Sequence, residues 1–287
     1  MSDRRVTTAA LAAFACAAVL TACVHKVAPR WKTLPETPPM PAARASGTVH
    51  VNGIDLYYAM YGAGPPLLLL HGGLANADYW SPQIPALAPA HEVIVMDSRG
   101  HGRSTRDAHP YSYDLMASDV IALLDHLHVA KTSIVGWSDG GIIGLDIAIK
   151  YPERLDRLFA FGANFNVAGL KPGLEKDPVF RTYVEKAGHD YARTSPTPQN
   201  YDAFMAAITE MWNSQPDFTA DELAKIVAPT MIADGEYDEA IRREHTEALA
   251  RAIPGAQLWI MPGVSHFAHW QAPDEYNRAV LAFIDGP

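Results

Sequence analysis

The stretch Gly136-Trp137-Ser138-Asp139-Gly140 constrains this chain more than any other. It follows Thr132 to Val135, a short β-branched run of buried-strand type, and precedes Gly141 to Ile149, whose apolar spacing is helical. A chain that turns from strand to helix in so few residues crowds its own backbone. Positions without bulk are therefore needed two places before and after the serine. The turn then lifts the Ser138 hydroxyl clear of the main chain, at the carboxyl end of a strand and the amino end of a helix. That is the context a G-x-S-x-G nucleophile requires.

The rest of the chain supplies strands for such a turn to grow from. Leu67 to Leu70, Val93 to Met96, Leu158 to Phe161, Met231 to Ala233 and Leu258 to Met261 are apolar runs of buried-strand length. Val49 to Tyr61 is interrupted by Asn52-Gly53, a two-residue hairpin signal. Helical patterns over 112–128, 139–151 and 242–253 separate most of these runs. The alternation predicts an α/β fold, a mostly parallel sheet with helices on both faces. Between 162 and 230 the strand rhythm stops and only helical pieces follow, predicting a cap inserted over the sheet edge at about 164–228. Its aromatic and methionine side chains, Phe180, Tyr183, Phe204, Met211 and Trp212 among them, either line a pocket or form the cap's own core.

The amino terminus reads differently. Residues 1–23 carry Arg4 and Arg5, then the apolar run Ala9 to Leu20, the length of a secretory signal rather than a membrane span. Leu20-Thr21-Ala22-Cys23 resembles a bacterial lipoprotein box, which implies lipidation at Cys23, membrane attachment and a place in the cell envelope on the periplasmic side; cleavage nearby and secretion is the alternative. Residues 24–47 hold five prolines and predict an extended spacer rising about 3.1 Å per residue. The folded domain is expected over 48–287. With Cys16 inside the signal and Cys23 at its end, the domain carries no disulfide and no thiol nucleophile. A net charge of −9 without a Lys/Arg-rich run argues against nucleic acid as a partner.

A serine hydroxyl is a poor nucleophile at neutral pH and needs a base, and the base needs an acid to orient it. Asp238 and His266 each follow a predicted strand, on the same sheet edge as Ser138 and in the chain order Ser, Asp, His. His269 is the rival base; Asp234, Glu236 and Glu239 are the rival acids. The oxyanion formed on attack needs waiting N–H donors. Asp139, after the nucleophile, and Gly73, in the turn His71-Gly72-Gly73-Leu74, are the candidates, with Leu74 one residue away.

His71-Gly72-Gly73, Asp97-Ser98-Arg99-Gly100-His101-Gly102-Arg103-Ser104, Gly136 to Gly141 and Gly263-Val264-Ser265-His266 together resemble the α/β-hydrolase superfamily. The run Gly136 to Gly141, with Gly162-Ala163-Asn164, is most similar to the biphenyl-hydrolase-like (valacyclovir hydrolase-like) branch. The resemblance implies a carboxylic ester hydrolase acting on a small molecule with no metal or organic cofactor. Superfamily members with an aspartate nucleophile are excluded by Ser138. Amide, lactone or carbon–carbon bond hydrolysis, perhydrolysis, and a non-enzymatic receptor on the same fold remain open readings. Asp139 and Trp137, flanking the nucleophile, are the substrate-binding candidates. The Asp139 carboxylate would pair with a substrate ammonium, or simply favour the helix start.

Overall fold

The computed structural model describes residues 28–286. Cys23, the signal-like segment and the start of the spacer lie outside the described residues. Eight strands form one sheet: β1 (Ala45–Val51), β2 (Ile54–Tyr61), β3 (Pro66–Leu70), β4 (Glu92–Met96), β5 (Thr132–Trp137), β6 (Leu155–Phe161), β7 (Thr230–Gly235) and β8 (Gln257–Met261). Their spatial order is β1-β2-β4-β3-β5-β6-β7-β8. The β1–β2 and β2–β4 pairings are antiparallel; every pairing from β4–β3 onward is parallel. The hairpin turns at Asn52 and Gly53, whose φ values of 47° and 77° fit a turn that matches strand twist.

The central strands are mainly apolar because helices cover both faces. Leu67 to Leu70, Val93 to Val95 and Ile134 to Val135 are fully buried. The helices are α1 (Ile84–Leu87), α2 (Tyr113–His126), α3 (Asp139–Lys150), α4 (Pro178–Thr194), α5 (Tyr201–Ser214), α6 (Ala220–Leu223), α7 (Arg243–Ala252), α8 (Ala268–Gln271) and α9 (Pro273–Ile284). Ser112 caps α2 and Asp177 caps α4, each accepting main-chain N–H bonds from the first turn. Helices α4, α5 and α6 stand between β6 and β7, in the interval where strand patterning fails. Tyr183, Phe204 and Met211 of this insertion are buried; Tyr183 packs on Trp137 and Phe267, and Phe204 on His101 and Tyr111, which seats the cap on the sheet domain.

The described part of the proline-rich segment is not a free spacer. Trp31 stacks on Tyr237 at 4.5 Å between ring centroids and 14° between planes. Arg30 pairs with Glu275 at 3.1 Å, Gln271 Nε2 donates to the Thr33 carbonyl at 2.8 Å, and Leu34 and Met40 pack on the core. β1 also begins at Ala45, so the last three residues assigned to the spacer already belong to the sheet. Composition shows the prolines but not the Trp31–Tyr237 contact, which joins residues far apart in the chain.

Candidate active site

The turn after β5 explains its glycines. Ser138 has φ 54° and ψ −121°, a strained conformation for a residue with a side chain. A Cβ on Gly136 would overlap the Gly140 main chain, and one on Gly140 would overlap the Leu70 carbonyl of β3. Ser138 N–H donates to the Phe161 carbonyl at 2.8 Å, which fixes the turn to β6. The side chain, half-buried, opens into a cavity of about 460 Å³ that His266 also lines.

Asp238 and His266 meet as the chain order requires. Asp238 Oδ2 lies 2.6 Å from His266 Nδ1, and both side chains are almost wholly buried. Asp238 Oδ1 accepts the N–H groups of Ala240 and Ile241, each at 2.7 Å. Burial alone would raise the Asp238 pKa, but the imidazole charge and these hydrogen bonds hold it at about 2. A carboxylate so held only accepts, so the hydrogen on the shared bond belongs to His266 Nδ1, leaving Nε2 free to take a proton. Burial disfavours the imidazolium, yet the Asp238, Glu239 and Asp139 charges outweigh it and raise the His266 pKa above the ordinary histidine value. Among the described residues the Ser138 hydroxyl makes no hydrogen bond.

The rivals are placed elsewhere. His269 is buried against Trp137 and Trp80, with neither ring nitrogen bonded among the described residues, and burial drives its pKa well down. Asp234 turns toward α7, accepting from Thr246 Oγ1 at 2.7 Å and from Gly235 N–H. Glu239 stays close to the site without reaching the imidazole: its Oε2 accepts His266 N–H at 3.0 Å. Burial, with Asp238 nearby, lifts its pKa to about 7.

Gly73, Leu74 and Asp139 are buried, and among the described residues their N–H groups have no hydrogen-bond partner. Buried main-chain donors without partners are rare. Leu74 adopts φ 66°, and the Gly73 carbonyl accepts the Tyr183 hydroxyl from the cap. Asp97, in the motif from Asp97 to Ser104, buttresses this loop by accepting Ala77 N–H and Arg103 N–H, each at 2.7 Å.

The two substrate-binding candidates separate. Trp137 is buried and does not line the cavity; its Nε1 donates to the His266 carbonyl at 2.8 Å. As the last residue of β5 it points into the core rather than toward the hydroxyl side, which corrects the expectation that it touches substrate. Asp139 does line the cavity. Its carboxylate accepts from Trp212 Nε1 at 2.9 Å to both oxygens and from the Tyr113 hydroxyl at 2.9 Å. Burial raises its pKa to about 6, against the pull of those two donors and of His266. Of the cap aromatics, Phe180 and Trp212 line the cavity. Tyr113 escaped sequence reasoning because nothing local to it marks a partner 26 residues away. Among the described residues no group of His, Cys, Asp or Glu is arranged to hold a metal ion.

Comparison with known proteins agrees with this architecture. The family described as alpha/beta hydrolase fold matches residues 65–200. A putative carbamate hydrolase, RutD of Azorhizobium caulinodans, is 32% identical over 257 residues, 82% of this chain and 96% of that protein. The human serine hydrolase BPHL is 30% identical over 83% of this chain and 86% of its own length. The solved structure of Est816, described as an N-acyl homoserine lactone degrading enzyme, superposes with a TM-score of 0.67 at 29% identity, covering 83% of this chain and all of that one. The chain belongs to the α/β-hydrolase family, and its relatives place it among hydrolytic enzymes.

Proposed function

We propose that this protein hydrolyses a small carboxylic ester through an acyl-enzyme on Ser138, in the manner of the biphenyl-hydrolase-like branch. The observation that carries the reading is the 2.6 Å Asp238–His266 bond beside a serine on a strained turn, with unbonded main-chain N–H groups nearby. Ser138 Oγ attacks the ester carbonyl carbon while its proton passes to His266 Nε2. Asp238 holds the imidazole by Nδ1 and stabilises the imidazolium. The N–H groups of Asp139 and of Gly73, or of Leu74 beside it, receive the negative oxygen. Collapse expels the alcohol, which takes the proton from His266. Water, deprotonated by the same imidazole, then releases the acid and restores the serine.

A second reading keeps these residues and changes the bond, to a lactone or a carbamate. It is supported by what the relatives above are described as cleaving. A substrate panel of aryl esters, α-aminoacyl esters, lactones, carbamates and anilides separates the two. Ester turnover that disappears in Ser138→Ala supports the first; lactone or carbamate turnover without ester turnover replaces it. The Asp139 carboxylate favours α-aminoacyl esters within the panel only if an ammonium displaces Trp212 or Tyr113. For the amino terminus we propose lipidation at Cys23 and attachment to an envelope membrane. Cys23→Ser is then expected to move the protein to the soluble fraction, and unchanged fractionation refutes the anchor.

A further inference from the structure

The cavity over Ser138 carries two cations that no acid among the described residues pairs with. Lys171 and Arg242 both line it, both are half-buried, and neither makes an ion pair among the described residues. Lys171 Nζ donates to the Asp238 carbonyl, and Arg242 Nε donates to the Leu170 carbonyl at 3.2 Å. The remaining ammonium hydrogens and the terminal guanidinium nitrogens are unspent.

The backbone sets these two side chains next to each other. Leu170 and Ile241 form an isolated antiparallel bridge, closed by Lys171 N–H to the Ala240 carbonyl at 2.8 Å and Arg242 N–H to the Gly169 carbonyl at 2.9 Å. Lys171 and Arg242 are therefore diagonal neighbours across the bridge, a spacing of roughly 7–8 Å that long side chains span with ease. The acids of the same cavity do not neutralise them. Asp139 is taken by Tyr113 and Trp212, and the Glu175 side chain is 70% exposed with Lys176 as its partner at 3.8 Å.

We propose that Lys171 and Arg242 form an anion subsite, and that the ester cleaved at Ser138 carries a carboxylate at the far end of a short acyl chain. The subsite rests on the serine-hydrolase reading and names its substrate class. Lys171 reaches the main chain of Asp238, and Lys171, Arg242 and Ser138 line one cavity, so an anion held by the cations and an ester at the serine can belong to one bound molecule. The apolar side chains that share this lining, Phe180, Leu170 and Ile241 among them, suit the methylene chain of a dicarboxylic acid half-ester.

The test compares three methyl esters of similar length: monomethyl adipate, methyl hexanoate and methyl 6-aminohexanoate, followed by acid release. Charge-assisted bonds to two half-buried cations predict a kcat/KM about 10- to 100-fold higher for the anionic ester than for the neutral one. That preference is expected to shrink with added salt and to fall toward unity in Arg242→Gln and Lys171→Met. Arg242→Gln is decisive if Lys171→Met perturbs Asp238. Calorimetry with adipate, which needs no turnover, is expected to show binding to the wild type and at least tenfold weaker binding to Arg242→Gln. Equal or better turnover of the neutral or cationic ester, or adipate binding indifferent to both substitutions, overturns the subsite. If no ester is cleaved and Ser138 takes no fluorophosphonate, the hydrolase reading fails, and adipate calorimetry alone decides the subsite.

Discussion

Replacing Trp212 with phenylalanine tests the electrostatics beside the nucleophile. Trp212, on cap helix α5, gives its one N–H to both oxygens of Asp139, and Tyr113 supplies the remaining donor. Burial has lifted Asp139 from an ordinary value of 3.8 to about 6, so the folded state binds this proton more tightly than the unfolded chain does. For a carboxyl group raised in this way, stability is lost as pH climbs from the unfolded pKa to the folded one, here by about 3 kcal/mol. A hydrogen bond to a charged group contributes about 1.5–3 kcal/mol, so its removal raises the Asp139 pKa by a further one to two pH units, to roughly 7–8. The packing lost with the indole is independent of pH. Urea unfolding followed by far-ultraviolet circular dichroism, at pH 5 and at pH 8, separates the two contributions. Because the variant's carboxyl is only partly ionised at pH 8, the gap between wild type and Trp212→Phe is expected to widen by about 1.4–2.4 kcal/mol between pH 5 and pH 8. In an Asp139→Asn background the widening is expected to vanish. A gap of the same size at both pH values, with Asp139 present, refutes the reasoning.

Two further outcomes follow from the geometry. A Cβ on Gly73 would overlap the Trp212 ring and Asp139 Oδ2, displacing the loop that offers main-chain donors. Gly73→Ala is expected to lower kcat by about 10²–10³ while circular dichroism shows the fold retained, and kcat within twofold of wild type would remove this loop from the oxyanion site. Glu239 is one of the charges that raise His266. Because only neutral His266 serves as base, activity rises with pH through its pKa, and Glu239→Gln is expected to move that limb of kcat/KM to lower pH by up to about one unit. A limb that stays put or moves up contradicts the assignment.

Much of this fold is written locally. Leu67 to Leu70 and Val93 to Met96 are continuous apolar runs because they are buried on both faces, and Asn52-Gly53 announces its hairpin because both residues tolerate positive φ. The Ser138 turn is legible for a similar reason, since Gly136 and Gly140 are required by main-chain contact and not by anything distant. Asp238 and His266 are legible from their strand ends, which the parallel sheet brings to one edge. What stayed hidden depends on contacts between remote positions. Trp137 flanks the nucleophile in sequence, yet strand alternation sends its ring into the core. Trp212 reads locally only as a cap aromatic, Tyr113 carries no local signal, and the pair they make on Asp139 exists only once the cap is folded over α3. The docking of Trp31 on Tyr237 is likewise invisible in a proline-rich stretch.

The most direct test of Ser138 as nucleophile is covalent. After treatment with a fluorophosphonate and removal of excess reagent, intact-protein mass spectrometry of the wild type is expected to show a single adduct, mapped by peptide analysis to Ser138. Ser138→Ala, folded as judged by circular dichroism, is expected to show none, whereas an adduct that persists in this variant, or maps elsewhere in the wild type, contradicts the mechanism.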